Sequence, residues 1–124
     1  LRISKDLVAA SATPLVLAIV AEGESYGYAI LKRVRDLSDG ELQWTDGMLY
    51  PLLHRLNRLG HIAAYWGDGI RKRRYYRITD KGRKALAEQR RQWEVVIDAL
   101  GSVWHEVTAV TEPSSAVARL VWSN

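Results

Sequence analysis

The stretch Thr45 to Ile62, TDGMLYPLLHRLNRLGHI, constrains the fold more than any other part of the chain. Thr45 suits a helix N-cap, because its hydroxyl can accept an otherwise unpaired backbone N–H. Asp46 then places a negative charge at the positive end of the helix dipole. Leu49, Leu52, Leu53, Leu56 and Leu59 recur at helical spacing and give one apolar face. Gly60 can take the left-handed conformation that ends a helix. The opposite face carries Thr45, Asp46, Tyr50, His54, Asn57 and Arg58, with Arg55 near the boundary. A helix that docks by leucines and shows a polar, partly basic face is either an ordinary surface helix or a recognition helix. The neighbouring segments favour the second.

Upstream, Glu22-Gly23-Glu24 forms a turn, and Ser25 can cap a helix from Tyr26 to Leu37 with Ile30, Leu31, Val34 and Leu37 inward. Lys32, Arg33 and Arg35 face outward, and Ser38-Asp39-Gly40 breaks the helix. Downstream, residues 61–66 and 74–78 are rich in strand formers. Between them Gly67-Asp68-Gly69-Ile70 leads into the basic run Arg71, Lys72, Arg73, Arg74. Two helices, a short break and a hairpin with a cationic tip make a winged helix-turn-helix pattern.

The charge follows the same segment. Residues 43–84 hold 10 basic and 3 acidic side chains, net +7, while residues 1–42 are net −1 and 85–124 net −2. A positive patch this concentrated is the electrostatic footprint of a nucleic-acid binder. The rival class is a winged helix that binds protein without sequence-specific DNA contact, and such a module has no need of four consecutive cations on its wing. Catalysis has little support, because His54, His61 and His105 show no metal-ligand spacing and no nucleophile–base set appears. No metal or cofactor is expected. The absence of Cys excludes disulfides and suits a reducing cytoplasm. No charged leader with a cleavage site begins the sequence, and the apolar run Pro14 to Ala21 is too short to span a membrane.

Lys5 to Glu22 reads as a helix, either kinked at Pro14 or restarting there with Thr13 as cap, with Leu7, Val8, Leu15 and Ile19 as core formers. Its second half is apolar nearly all round, which demands burial on several sides. Thr79 caps a long helix from Asp80 to about Thr108. In it Leu86, Trp93, Leu100 and Val107 recur every seven residues, with Val96, Ile97, Val103 and Trp104 between them. Such a stripe pairs with another helix, either the first helix or a second copy of itself. A short helix from Glu112-Pro113 to Trp122 is one reading of the tail.

Three motifs carry a resemblance. Ser25-Tyr26-Gly27-Tyr28-Ala29-Ile30, Met48-Leu49-Tyr50-Pro51-Leu52-Leu53-His54-Arg55-Leu56, and Arg73-Arg74-Tyr75-Tyr76-Arg77-Ile78-Thr79 with Gly82 occur in order and resemble the PadR family of bacterial transcriptional regulators. Met48 stands where the family usually has Thr. The resemblance implies dimeric DNA-binding repressors and accounts for Pro51 inside a helix. Trp66-Gly67-Asp68 and the mid-helix Trp93 are similar to the small multidrug-sensing, LmrR-type branch. There the equivalent Trp and its symmetry mate sandwich flat aromatic drugs. The branch's acid four residues after that Trp is replaced here by Ile97, with Asp98 one step round the helix.

The expected protein is mainly α with a small two-stranded hairpin. Residues 1–79 form a winged helix-turn-helix with an N-terminal helix, and 80–124 a dimerisation helix and tail. Its expected partners are double-stranded DNA, a second copy of itself and a small planar aromatic ligand. The residues nominated to meet DNA are Tyr26, Lys32, Thr45, Met48, Tyr50, His54, Arg55, Arg71, Lys72, Arg73 and Arg74. Ligand contacts fall to Trp93, Ile97, Leu15 and Val96, and the dimer seam to Leu86, Trp93, Leu100, Trp104 and Val107. Tyr26 and Tyr28 suit core packing and phosphate contact better than base reading.

Overall fold

A computed structural model of the chain describes residues 1–107, with side chains through His105. The elements are α1 (Lys5–Glu22), β1 (Ser25–Tyr26), α2 (Gly27–Leu37), α3 (Asp46–Arg58), β2 (Ile62–Trp66), β3 (Arg74–Ile78) and α4 (Asp80–Val107). The side chain of Val107 and the helix expected from 112 to 122 lie outside the described residues. The chain divides into two compact units, Leu1–Ala87 and Glu88–Asn124.

α1 starts at Ser4, whose hydroxyl accepts the Leu7 N–H at 3.2 Å, and runs through Pro14 as one helix with no restart at Thr13. Val16, Leu17, Ile19 and Val20 are buried, whereas Leu7 is exposed because the first turn projects past the core. α2 buries Ile30 and Val34, with Leu31 packed beside them. Leu37, expected inward, is exposed in the last turn, where the chain is already turning away through Ser38. That turn is tight: Asp39 and Gly40 both have positive φ, and Gly40 N–H reaches the Arg35 carbonyl at 2.8 Å. Asp tolerates the left-handed region better than most residues, and Gly takes it freely.

α3 forms as its sequence predicts. Thr45 Oγ1 accepts the Met48 N–H at 3.3 Å, and Leu49, Leu52, Leu53 and Leu56 are buried. Gly60 has φ 76°, with Gly60 N–H bonded to Asn57 O and His61 N–H to Leu56 O, a Schellman ending. Leu59 therefore lies beyond the last full turn and is exposed rather than part of the apolar face.

The expected two-stranded hairpin forms from β2 and β3, and β1, which was not expected, adds a third strand to give an antiparallel sheet of order β1-β3-β2. Ser25 pairs with Tyr76 and Tyr26 with Tyr75. Ser25 is consequently strand and not a helix cap; Tyr26 occupies the cap position of α2, with no side-chain cap bond. One latch ties α3, the sheet and α4 together. Thr79 Oγ1 donates to Gly60 O at 2.5 Å and accepts the Gly82 N–H at 3.0 Å, while Thr79 N–H bonds to His61 O. A side chain at Gly82 would collide with the His61 carbonyl, so only glycine lets α4 start this close to the end of α3.

Beyond Ala87, α4 carries Val95, Val96, Leu100, Val103 and Trp104 exposed, with Trp93 and Ile97 half-buried. Ion pairs Arg90–Glu94 (2.8 Å) and Arg91–Glu88 (3.4 Å) support its polar face.

Candidate nucleic-acid interface

The leucine face of α3 turns inward, which forces Tyr50, His54 and Arg55 outward. Tyr50 lies across the start of α2, and a side chain at Gly27 would collide with its phenol. β1 brings Tyr26 beside the wing, because it pairs with Tyr75 of β3. An open cleft of about 350 Å³ results, lined by Tyr26, Gly27, Tyr28, Tyr50, His54, Arg73, Arg74 and Tyr76. All three sequence motifs meet there.

The wing cations, equal in the sequence, divide into two pairs in the structure. Arg73 stacks over the Tyr26 ring at 4.1 Å, and Arg74 lies over Trp66 at 5.3 Å. Both guanidinium groups are held by cation–π attraction. Arg71 and Lys72 are exposed and make no ion pair or hydrogen bond with the described residues. The base of the wing is an aromatic stack. Tyr65 and Tyr75 lie 5.7 Å apart at 20°, and Tyr26 meets Tyr75 edge-on at 5.6 Å. Tyr65 donates to Glu24, and that hydrogen bond, more than desolvation, pushes its phenol up to about 12. Tyr76 forms the buried floor, and burial holds its phenol above the ordinary value while the nearby Arg74 charge opposes the shift.

Cationic donors, phenolic hydroxyls and the open N-terminus of α2 on one concave surface are the chemistry that binds phosphate oxygens. A carboxylate-free lining favours the same ligand, since no group in the cleft repels an anion.

Of the nominated DNA residues, the cleft gathers Tyr26, Tyr50, His54, Arg73 and Arg74. Arg71 and Lys72 stand further out on the wing. Lys32 is on the exposed face of α2, paired with Asp36 at 3.2 Å. Thr45 has its hydroxyl engaged as the cap, and Met48 is half-buried against the core. Arg55 donates to Thr13 Oγ1 of α1 at 3.2 Å. Gly27 and Tyr76 belong to the cleft without having been nominated, and Tyr28, which the sequence suited to core packing and phosphate contact, joins them there. The positioning of Gly27 and Tyr76 depends on β1, a two-residue strand without any periodic signal. Of the ligand nominees, Trp93, Val96 and Ile97 share one face of α4, and Leu15 packs against the core from α1. Leu86, nominated for the seam, also packs partly against the core of the first unit. Among the described residues no group of His, Asp or Glu is placed to hold a metal ion, and no helix is long and apolar enough to cross a membrane.

This fold defines a winged helix-turn-helix protein whose cleft is lined by cations and phenols. The model of the PadR-like family of transcriptional regulators matches residues 16–88, and the chain belongs to that family. It is a DNA-binding transcriptional regulator. It is 37% identical over 93 residues to the transcriptional regulator Rv3488 of Mycobacterium tuberculosis, covering 73% of this chain and 83% of that protein. Among solved structures, a PadR family regulator from Eggerthella lenta superposes with a TM-score of 0.64 at 37% identity, over 80% of this chain and 82% of that one. A transcriptional regulator from Clostridium thermocellum reaches 0.74 at 31% identity, over 79% and 97%.

Proposed function

We propose that the chain is a cytoplasmic homodimeric repressor. Two copies of the cleft and wing bind the half-sites of a palindromic operator, and a small planar aromatic ligand releases it. The observation that carries the DNA geometry is the cleft itself, where the α2 N-terminus, the outward face of α3 and the tethered Arg73 and Arg74 converge. In this reading α3 enters the major groove, with Tyr50 and His54 toward bases or phosphates. Tyr26, Arg73 and Arg74 hold the backbone beside it, and Arg71 and Lys72 reach the adjoining groove. Lys32, Thr45, Met48 and Arg55 are peripheral to that contact. Changing Arg71, Lys72, Arg73 and Arg74 together to Ala is expected to weaken binding to all DNA. It should also flatten the salt dependence by roughly 0.9 log units of slope per lost phosphate contact. Wild-type affinity and slope in a salt-titrated assay would refute the wing as a phosphate clamp.

The exposed stripe Val96, Leu100, Val103 and Trp104, with Trp93 and Ile97 beside it, supports the dimer, because apolar side chains at this repeat gain from a second helix. Leu86 and Val107 are proposed as the two ends of that seam. The ligand reading, and with it the multidrug-sensing branch, rests on Trp93. An indole near a two-fold axis meets its mate, and two parallel faces stack a flat ring between them. Ile97 and Val96 would supply apolar walls. Trp93→Ala should stay dimeric, bind operator and lose affinity for flat aromatic dyes. Unchanged dye affinity would make Trp93 a packing residue only.

A further inference from the structure

The tip of the wing carries a residue that phosphate binding does not explain. Ile70 has 106% relative exposure, more than any other large hydrophobic side chain described. It is the central residue between Trp66 and Arg74, the last bridged pair of β2 and β3. Gly67 N–H closes the loop on Arg73 O at 2.9 Å. Gly67 and Gly69 on the approach side keep the loop thin, and Asp68, its one acid, precedes the apex by two residues. The two unpartnered cations, Arg71 and Lys72, follow the apex directly. Behind them, the stacked Tyr65, Tyr75 and Tyr26 and the tethered Arg73 and Arg74 hold the base of the wing. The result is an apolar point on a narrow, cationic, firmly based projection.

Resting on the reading that the wing meets DNA, we propose that Ile70 is a specificity-determining wedge that enters the minor groove of the operator. Arg71 and Lys72 seat the tip by pairing with the phosphates that wall the groove. The groove is about 6 Å wide in B-form DNA, so a loop thinned by glycines fits where a bulkier one would not. An isoleucine offers no donor or acceptor, so it cannot read bases by hydrogen bonds. It reads them by shape: the amino group of guanine projects from the groove floor, whereas an A·T floor is flat enough for a branched alkyl chain. Pressed against a base step, such a side chain partly unstacks it and bends the duplex away, most easily at a pyrimidine–purine step such as TA. The exposed methyl groups leave water only in the complex, which gives the free protein's bare tip a physical role.

The test uses the full chain and a high-affinity duplex selected from a random pool, with 2-aminopurine placed in turn at the A·T steps beside the α3 footprint. Wild-type protein should raise the probe's fluorescence at one step per half-site, the signature of local unstacking, and bend the duplex in a resonance-energy-transfer assay. Ile70→Ala should remove that signal, reduce the bend and weaken binding on the order of tenfold, with the salt slope unchanged. Ile70→Leu should retain most of all three. Replacing A·T by G·C at that step should weaken the wild type but not Ile70→Ala. The wedge is overturned if Ile70→Ala unstacks, bends and binds as the wild type does, or if its loss of affinity is the same for A·T and G·C at every step. It is equally overturned if Ile70→Ala lowers self-association in sedimentation while the bend persists. Arg71→Ala with Lys72→Ala separates the two levels of the reading. An unchanged salt slope in that variant takes the wing tip, and the wedge with it, off the DNA; an unchanged slope when Arg73 and Arg74 are also changed to Ala takes the whole wing off, whereas a reduced slope beside an inert Ile70→Ala leaves the wing in place and removes only the wedge.

Discussion

The two units of the chain handle their apolar residues in opposite ways. In Leu1–Ala87, leucines and valines from α1, α2 and α3 close on one another, and Leu53 is 0% exposed. In α4 beyond Ala87, residues of the same type and spacing lie at the surface, and Leu100 is 41% exposed. Periodicity alone makes the two stripes look alike. The difference is what each stripe meets. The leucines of α3 have α1, α2 and the sheet within reach of a short chain, so burial there follows from folding. The α4 stripe is built at the same repeat and stays exposed, which is the pattern of a surface completed by association. The first unit is proposed to meet DNA, and the second to set how two such units are spaced.

The comparison can be broken most strongly at the second stripe. Leu100→Asp is expected to cost about 3–5 kcal/mol of association, because it places an unpaired charge in a desolvated seam. Sedimentation should show the dimer lost and the first unit still folded; an unchanged dimer removes Leu100 from the seam. Leu53→Ala should cost about 2–5 kcal/mol of folding stability by opening a cavity in a closed core. Because that core is made by one chain, the loss in a urea titration should not depend on protein concentration, and a strong dependence would merge the two stripes into one kind.

Gly82→Ala probes how tightly the first unit closes on itself. Its methyl group would meet the His61 carbonyl, so the α3–α4 latch must shift, at roughly 1–3 kcal/mol. A thermal melt at wild-type temperature would show the latch to be slack. The smallest effect lies at the Glu22–Arg33 pair, which joins the end of α1 to α2 through contacts of 2.8 and 3.1 Å. The hydrogen bond from Arg33 holds the Glu22 carboxyl below its ordinary value. A depressed carboxylate stabilises the fold above its unfolded value, and that contribution fades as pH falls through the folded one. Glu22→Gln should therefore melt slightly lower than wild type near neutrality and converge with it in acid; a gap that persists in acid would assign the effect to packing. Both side chains are well exposed, so the gap should be small.

How much was legible follows from distance along the chain. The cap at Thr45, the leucine repeat and the Gly60 ending all act within one helix, and α3 forms from them as expected. The latch at Thr79 and Gly82 was visible as a cap and as part of a motif, although its partner Gly60-His61 was not. β1 could not be read, because two residues have no period and their pairing partner lies about fifty residues on. Ser25 was consequently expected as a cap, and the cleft that β1 completes was seen only as separate motifs. Leu7, Leu37 and Leu59 fit their helical repeats yet sit at helix ends, where the next turn of core is missing. The four wing cations looked equivalent, and only the rings of Tyr26 and Trp66 divide them into a tethered pair and a free one.

Two winged units are proposed to act on DNA at a spacing set by α4. Hydroxyl-radical footprinting on a selected duplex tests this arrangement most directly, comparing wild type with Leu100→Asp at one concentration. Two protected patches are expected for the wild type, centred about 10 base pairs apart or a multiple of that. For Leu100→Asp a single weak patch or none is expected. One patch for the wild type, unaltered in strength and extent by Leu100→Asp, would contradict it.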